Sequence, residues 1–266
     1  MKNKNLDVKK LRECLKTAWL GKKIYYFTEV DSTNKFAKKL AKQGVEEGAI
    51  VIAETQTSGR GRLGRRWESP KGGIWLSILL KPKLRLKETV KISLLAAVAV
   101  AKTIRGKLRL AAEVKWPNDV LIGWRKVCGI LAEAISEREE AKYIIVGIGI
   151  NANFNLSTLP VKLRKTATSL KEILSREINR ESFICSLLEN FESYYETFRK
   201  GKFNFIVDEW KRLSCILGRK VQILNHERFE GLAEDIDEDG CLIVRLENGA
   251  LRKVFSADVT VKIGGK

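Results

Sequence analysis

The sequence predicts an α+β fold that carries a small all-β appendage. In the first 216 residues, segments whose apolar residues recur at helical spacing alternate with short runs rich in β-branched residues. From Gly218 the texture changes to five short strand-like runs joined by tight turns. The expected division is a larger domain over residues 1–216 and a compact β-barrel over 217–266.

A basic N-terminal segment suits a helix, and KIYYFTEV (residues 23–30) suits a strand. Asp31, Ser32 and Thr33 are capping residues for a helix through NKFAKKLAKQ, which puts Phe36, Ala37, Leu40 and Ala41 on one face and stops at Gly44. AIVIAETQ is an apolar strand, followed by a loop rich in glycine and arginine and then by the strand GIWLSILLKP. KISLLAAVAVAKTIRGK is too long and too rich in Ala and Leu for a strand, so it is expected to be a buried helix. EVKWPNDVLI, KVCGILAEAI and YIIVGIGINAN are three further β-rich runs. Residues 181–200 carry eight large apolar or aromatic side chains at helical spacing, a core stripe to which no function is assigned. The last fifty residues read as a meander, VQIL, FEGLAEDI, CLIVRL, LRKVF and VTVKI, with Asn-His, Asp-Gly and Asn-Gly at its turns.

Composition excludes several classes of function. The longest uncharged apolar stretch is ten residues (92–101), too short to span a bilayer, and the charged N-terminus shows no secretory signal, so a cytoplasmic protein without a membrane partner is expected. Five scattered cysteines without a C-x-x-C pair read as reduced, mostly buried residues. One histidine, His226, reads as a turn residue and leaves both a histidine-based triad and a multi-histidine metal site without parts. The net charge of +18 is uneven: residues 1–44 carry +8, whereas residues 217–266 carry −1. A basic surface favours anionic partners without choosing among nucleotides, nucleic acid and acidic proteins. Abundant Lys, Arg and Glu beside one Met and three Gln fit a heat-adapted source.

Three segments concentrate the chemistry. In QTSGRGRLGRRW (56–67), Gly59, Gly61 and Gly64 satisfy G-x-G-x-x-G, but Pro70 and a Gly pair follow and the chain enters a strand, which rejects a dinucleotide-binding turn. A flexible loop suits the segment better, its backbone close to a polyphosphate, Arg60, Arg62, Arg65 and Arg66 neutralising it, and Trp67 placed to stack on a base. A solvated basic loop explains the segment almost as well. Lys115-Trp116-Pro117-Asn118-Asp119 gathers an ammonium, an amide and a carboxylate in one turn, suited to phosphate, Mg2+ or an amine, although a surface turn with an ion pair is the commoner reason for such a cluster. Arg125-Lys126-Val127-Cys128-Gly129 puts a lysine at the entry of an apolar strand beside a glycine, a place where lysine also serves to discourage edge pairing.

Taken in order, DSTN (31–34), Gln56 with GRGR, KWPND, RKVCGIL and GIGIN (147–151) closely resemble the catalytic core of biotin protein ligases. The resemblance extends from about residue 24 to the C-terminus. It implies a mixed-sheet catalytic domain of the class II synthetase-like biotin/lipoate ligase type, holding biotin and ATP over residues 1–216, and an SH3-like β-barrel over 217–266. It further implies ATP-dependent formation of biotinyl-5'-AMP, with Mg2+, and transfer of biotin to a lysine of a biotin carboxyl carrier protein or carboxylase domain; a homodimer is among the assemblies it allows. By this likeness Ser32, Thr33, Asn34 and Gln56 hold the biotin head, and Arg60, Gly61 and Arg62 close over the product. Lys126 and Gly129 meet the biotin tail. Arg62, Arg65, Trp67, Lys115, Asn118 and Asn151 serve the nucleotide, Asp119 is a candidate Mg2+ ligand, and Lys126, Arg60, Lys115 and Asp119 carry catalysis. Cys128 stands where the family often has a small residue such as alanine.

Two rivals remain. A lipoate ligase shares the two-step chemistry, but the polar set Ser32, Thr33 and Gln56 favours a ureido ring over a dithiolane. A DNA-binding repressor fits the charge, since some biotin ligases carry an N-terminal winged helix-turn-helix; only thirty residues precede Asp31, too few for such a domain, so no specific nucleic acid is expected.

Overall fold

A computed structural model describes residues 4–137, 139–224 and 227–261. The helices are α1 (Val8–Cys14), α2 (Thr33–Lys42), α3 (Thr89–Leu108), α4 (Val161–Arg164), α5 (Leu170–Leu174), α6 (Arg180–Arg199) and α7 (Phe203–Leu213). The first eight strands are β1 (Ile24–Val30), β2 (Ile50–Gln56), β3 (Ile74–Leu80), β4 (Leu84–Arg85), β5 (Ala112–Lys115), β6 (Asp119–Ile122), β7 (Arg125–Glu137) and β8 (Glu140–Ile150). They form one sheet ordered β1-β2-β3-β8-β7-β6-β5, with β4 beside β8. Only β1 and β2 run parallel; the other pairs are antiparallel, so the sheet is mixed.

The two faces of this sheet differ because side chains alternate along each strand. Ile50 and Ile52 of β2, Leu76 and Ile78 of β3, Val146 and Ile148 of β8 and Cys128 of β7 join the main core with α3, which is buried nearly all round. Behind α3 lie α6 and α7. The opposite face packs Val51, Leu79, Tyr143 and Ile145 against Ala37, Leu40 and Ala41 of α2. Beyond the N-terminus of α2 that face carries Ser77, Gly129, Gly147 and Gly149 in place of large side chains, and this bare stretch is where a cavity forms.

The C-terminal strands are β9 (Lys220–Leu224), β10 (Arg228–Ile236), β11 (Leu242–Arg245), β12 (Leu251–Val254) and β13 (Asp258–Val261), in the order β12-β11-β10-β9-β13. The expected meander is present, but its closure is not. A bulge between Ala233 and Asp235 bends β10, yet among the described residues β12 and β13 do not pair, so the unit is a curled antiparallel sheet. Its inner residues, including Val221, Ile223 and Val244, belong to the same core as α3, and Trp116 Nε1 donates to Gly240 O at 3.0 Å. His226 lies outside the described residues.

The expectation of reduced cysteines is corrected. Cys14 and Cys185 are joined by a disulfide across 171 residues, with Cα atoms 6.3 Å apart; Cys128, Cys215 and Cys241 are free and buried. The reason lies in packing. Helix α1 lies along α6 and brings its last residue against Cys185, a proximity that no local spacing encodes. Among the described residues no helix is long and apolar enough to cross a membrane.

Candidate active site

A cavity of about 360 Å³ opens on the α2 face of the mixed sheet. Fourteen of the fifteen expected site residues line it: Ser32, Thr33, Asn34, Gln56, Arg60, Gly61, Arg62, Arg65, Trp67, Asn118, Asp119, Lys126, Gly129 and Asn151. Lys115 does not. It ends β5 at the edge of the sheet, and after the Trp116–Pro117 turn only Asn118 and Asp119 reach the cavity, so the geometry gives no support to a catalytic role for Lys115.

The polar end is built around the N-terminus of α2. Ser32 is the N-cap, its Oγ accepting from Lys35 N at 3.4 Å, because a hydroxyl here satisfies an amide the helix leaves unpaired. Thr33 N and Oγ1 both donate to Gln56 Oε1, at 2.8 and 3.1 Å, and Gln56 Nε2 donates to Ser69 Oγ at 2.8 Å. Ser77 Oγ lies 2.7 Å from Thr33 Oγ1 and 2.6 Å from Asn34 Oδ1. Asn34 Nδ2 donates to Glu133 Oε2 at 2.8 Å. Gly147 makes room for this amide, since a Cβ there would stand 2.3 Å from Asn34 Oδ1.

The floor is the Gly129–Gly149 pair on β7 and β8. The Trp67 indole lies across it: a Cβ at Gly129 would meet Trp67 Cζ3 at 2.9 Å, and one at Gly149 would meet Nε1 at 2.6 Å. Buried Trp67 Nε1 finds no acceptor among the described residues, a condition proteins usually relieve with a ligand or ordered water. Cys128, beside Gly129, points to the other face and into the core, where burial pushes its thiol far above the usual range. Its thiol is therefore not a site group.

The cationic end gathers Lys126 and the arginine loop. Lys126 pairs with Asp119, and its backbone is pinned on both sides, N donating to Thr166 O at 2.8 Å and O accepting from Thr168 N at 2.9 Å. Asn118 Nδ2 donates to Ile130 O at 2.7 Å, and Asn151 Nδ2 to Thr168 O at 2.9 Å, so both amides are fixed by backbone. Burial holds the Arg62 guanidinium below its ordinary pKa, while Asp258 and Asp119 pull it back. Chemically, a polar pocket, a floor of glycines under an indole and a cluster of cations line one cavity, an arrangement suited to an acid with a polar head and an anionic partner.

Residues 26–151 match the Biotin/lipoate A/B protein ligase family, and residues 216–262 match the Biotin protein ligase C terminal domain. The bifunctional ligase/repressor BirA of Bacillus spizizenii is 36% identical over 256 residues, spanning 96% of this chain and 78% of that protein. The chain belongs to the biotin protein ligase family. The biotin--[acetyl-CoA-carboxylase] ligase of Paracoccus denitrificans is 31% identical over 81% of this chain and 91% of its own length. Among solved structures, a biotin protein ligase from Aquifex aeolicus in complex with biotin and ATP superposes with a TM-score of 0.79 at 29% identity, over 91% of this chain and 99% of that one.

Membership in the family does not by itself reveal Ser69, Ser77, Glu133 and Asp258, which sequence reasoning missed. Ser77 and Glu133 hold the polar end, Ser69 the Gln56 amide, and Asp258 lines the cavity from the C-terminal sheet. A signal existed for one feature: Gly147 and Gly149 are two apart on a strand, so both face one side and leave a groove.

Proposed function

We propose that this cavity activates biotin with ATP and passes it to a protein lysine. The observation that carries the reading is the meeting of the Ser32, Thr33 and Gln56 polar set with Lys126 and the arginine loop in one cavity. A ureido head hydrogen-bonds at the α2 end, and the apolar tail lies against the Trp67 indole that covers the Gly129–Gly149 floor. The biotin carboxylate oxygen attacks the α-phosphorus of ATP; the bond to the β-phosphate oxygen breaks and pyrophosphate leaves. Two anions meet in that step, and Lys126, Arg60 and Arg62 offset their repulsion and the charge of the five-coordinate transition state. The acceptor lysine amine then attacks the acyl carbon, loses a proton and expels AMP. A biotin carboxyl carrier domain is the acceptor that the names of the relatives suggest.

Asp119 fits Mg2+ only as a single carboxylate ligand. Among the described residues no three His, Cys, Asp or Glu side chains cluster for a metal, and Mg2+ commonly takes one carboxylate with substrate phosphates. When bound, the ion supplies charge neutralisation at the phosphates.

ATP–pyrophosphate exchange in the presence of biotin, lipoate or neither tests the reading. Exchange is expected with biotin and weaker by roughly four orders of magnitude with lipoate, because a dithiolane leaves the polar set unpaired. Equal exchange with both acids overturns it. We also propose that this chain meets DNA through charge alone, with Kd about 10⁻⁴ to 10⁻⁶ M at physiological salt. Nanomolar binding that prefers one duplex over its scrambled form would refute that.

A further inference from the structure

The 59–67 loop is a small hairpin whose own hydrogen bonds shape it but do not hold its tip over the cavity. Trp67 N donates to Gly59 O at 3.0 Å, Gly61 N to Arg65 O at 2.7 Å and Arg65 N to Arg62 O at 3.2 Å. At its tip Leu63 and Gly64 have φ of 55° and 72°, and the Leu63 side chain is exposed. Trp67 anchors the base of the hairpin. The tip is held by two arginines. The Arg62 guanidinium donates to Asn118 Oδ1 at 3.3 Å, Ala257 O at 3.2 Å and Ser256 Oγ at 2.8 Å, and Arg65 pairs with Asp258.

Three of those four partners lie in residues 256–258, where the chain passes from β12 into β13, and Asp258 lines the cavity. This segment is itself fixed, because Asp258 opens β13 in register with Leu224 of β9. We infer that residues 256–258 are a clasp by which the C-terminal sheet holds the arginine loop shut over the cavity. Asp258 and Ser256 are positioning residues that act through Arg65 and Arg62. The consequence for chemistry rests on the adenylation reading: a mixed anhydride hydrolyses readily, so the fraction of time the loop is shut sets how long the product is kept. The clasp itself does not rest on that reading.

Limited trypsin digestion of the ligand-free, full-length protein tests it, since Arg60, Arg62, Arg65 and Arg66 are all cleavage points. Asp258→Asn and Ser256→Ala should each raise cleavage within 60–66 about fivefold, the shift that about 1 kcal/mol of pairing gives, with cleavage elsewhere unchanged. The swapped pair Arg65→Glu with Asp258→Arg should return the remaining loop sites toward the wild-type rate. Biotinyl-adenylate preformed on Asp258→Asn should be released about fivefold faster. Unchanged loop cleavage in both single variants, or an increase spread over the whole chain, overturns the clasp. Faster loop cleavage in a protein that forms no adenylate upholds the clasp and removes the adenylation reading instead.

Discussion

The Lys126 ammonium stands 2.6 Å from Asp119 Oδ1 and 5.0 Å from the centroid of the Trp67 ring. One carboxylate and one aromatic face thus aim the same cation into the cavity, from a strand whose backbone is bonded on either side of it. Because β7 lies between β8 and β6, this lysine guards no sheet edge, contrary to the alternative the sequence allowed.

Lys126→Ala should therefore slow biotin-dependent exchange about a hundredfold to a thousandfold, roughly 3 to 4 kcal/mol, with circular dichroism unchanged. Wild-type exchange in that variant would leave Lys126 only a structural partner of Asp119.

Glu54 and Arg180 form a buried pair at 2.9 Å, with side chains 2% and 5% exposed. Glu54 also accepts from Leu6 N and from Tyr26 OH at 2.9 Å, and Arg180 donates to Gly73 O at 3.0 Å. Arg180→Leu leaves a buried carboxylate short of its cation and should cost about 3 to 5 kcal/mol in urea unfolding. A cost below about 1 kcal/mol would mean that Glu54 reaches water.

The Cys14–Cys185 bridge ties α1 to α6. Intact mass under non-reducing conditions should show two hydrogens lost, and Cys14→Ser should lower unfolding stability by roughly 2 to 5 kcal/mol. Identical melting with and without reductant would show that the bridge contributes nothing.

Burial, reinforced by Glu209, raises the Tyr194 hydroxyl from 10 to about 12. A raised pKa stabilises the fold fully below the unfolded value and loses that contribution as pH rises toward the folded one. The Tyr194 contribution should thus be lost between about pH 10 and 12, and Tyr194→Phe should make the alkaline limb shallower while leaving neutral pH little changed, Tyr26 and Tyr195 being raised as well. An identical alkaline limb in both proteins would remove Tyr194 as a contributor.

Local chemistry made much of this protein legible in sequence. The Ser32 cap and the apolar face of α2, the all-round burial of α3, and the switch to short strands after Gly218 each depend on neighbours a few residues away, so spacing and residue type reveal them. The motif order likewise marks fourteen of the residues that line the cavity. Helix α7, in contrast, lies in a stretch where no helix was foreseen. Only the tertiary structure decided that Lys115 stands apart while Asn118 and Asp119 face inward, that Cys128 turns to the core while Gly129 turns to the cavity, that Cys14 meets Cys185, and that Asp258 reaches the arginine loop. The physical reason is the same in each case. Which face a strand residue takes, and which distant residue it meets, is set by register and by helices packing on the sheet, and those relations join segments that share no local signal.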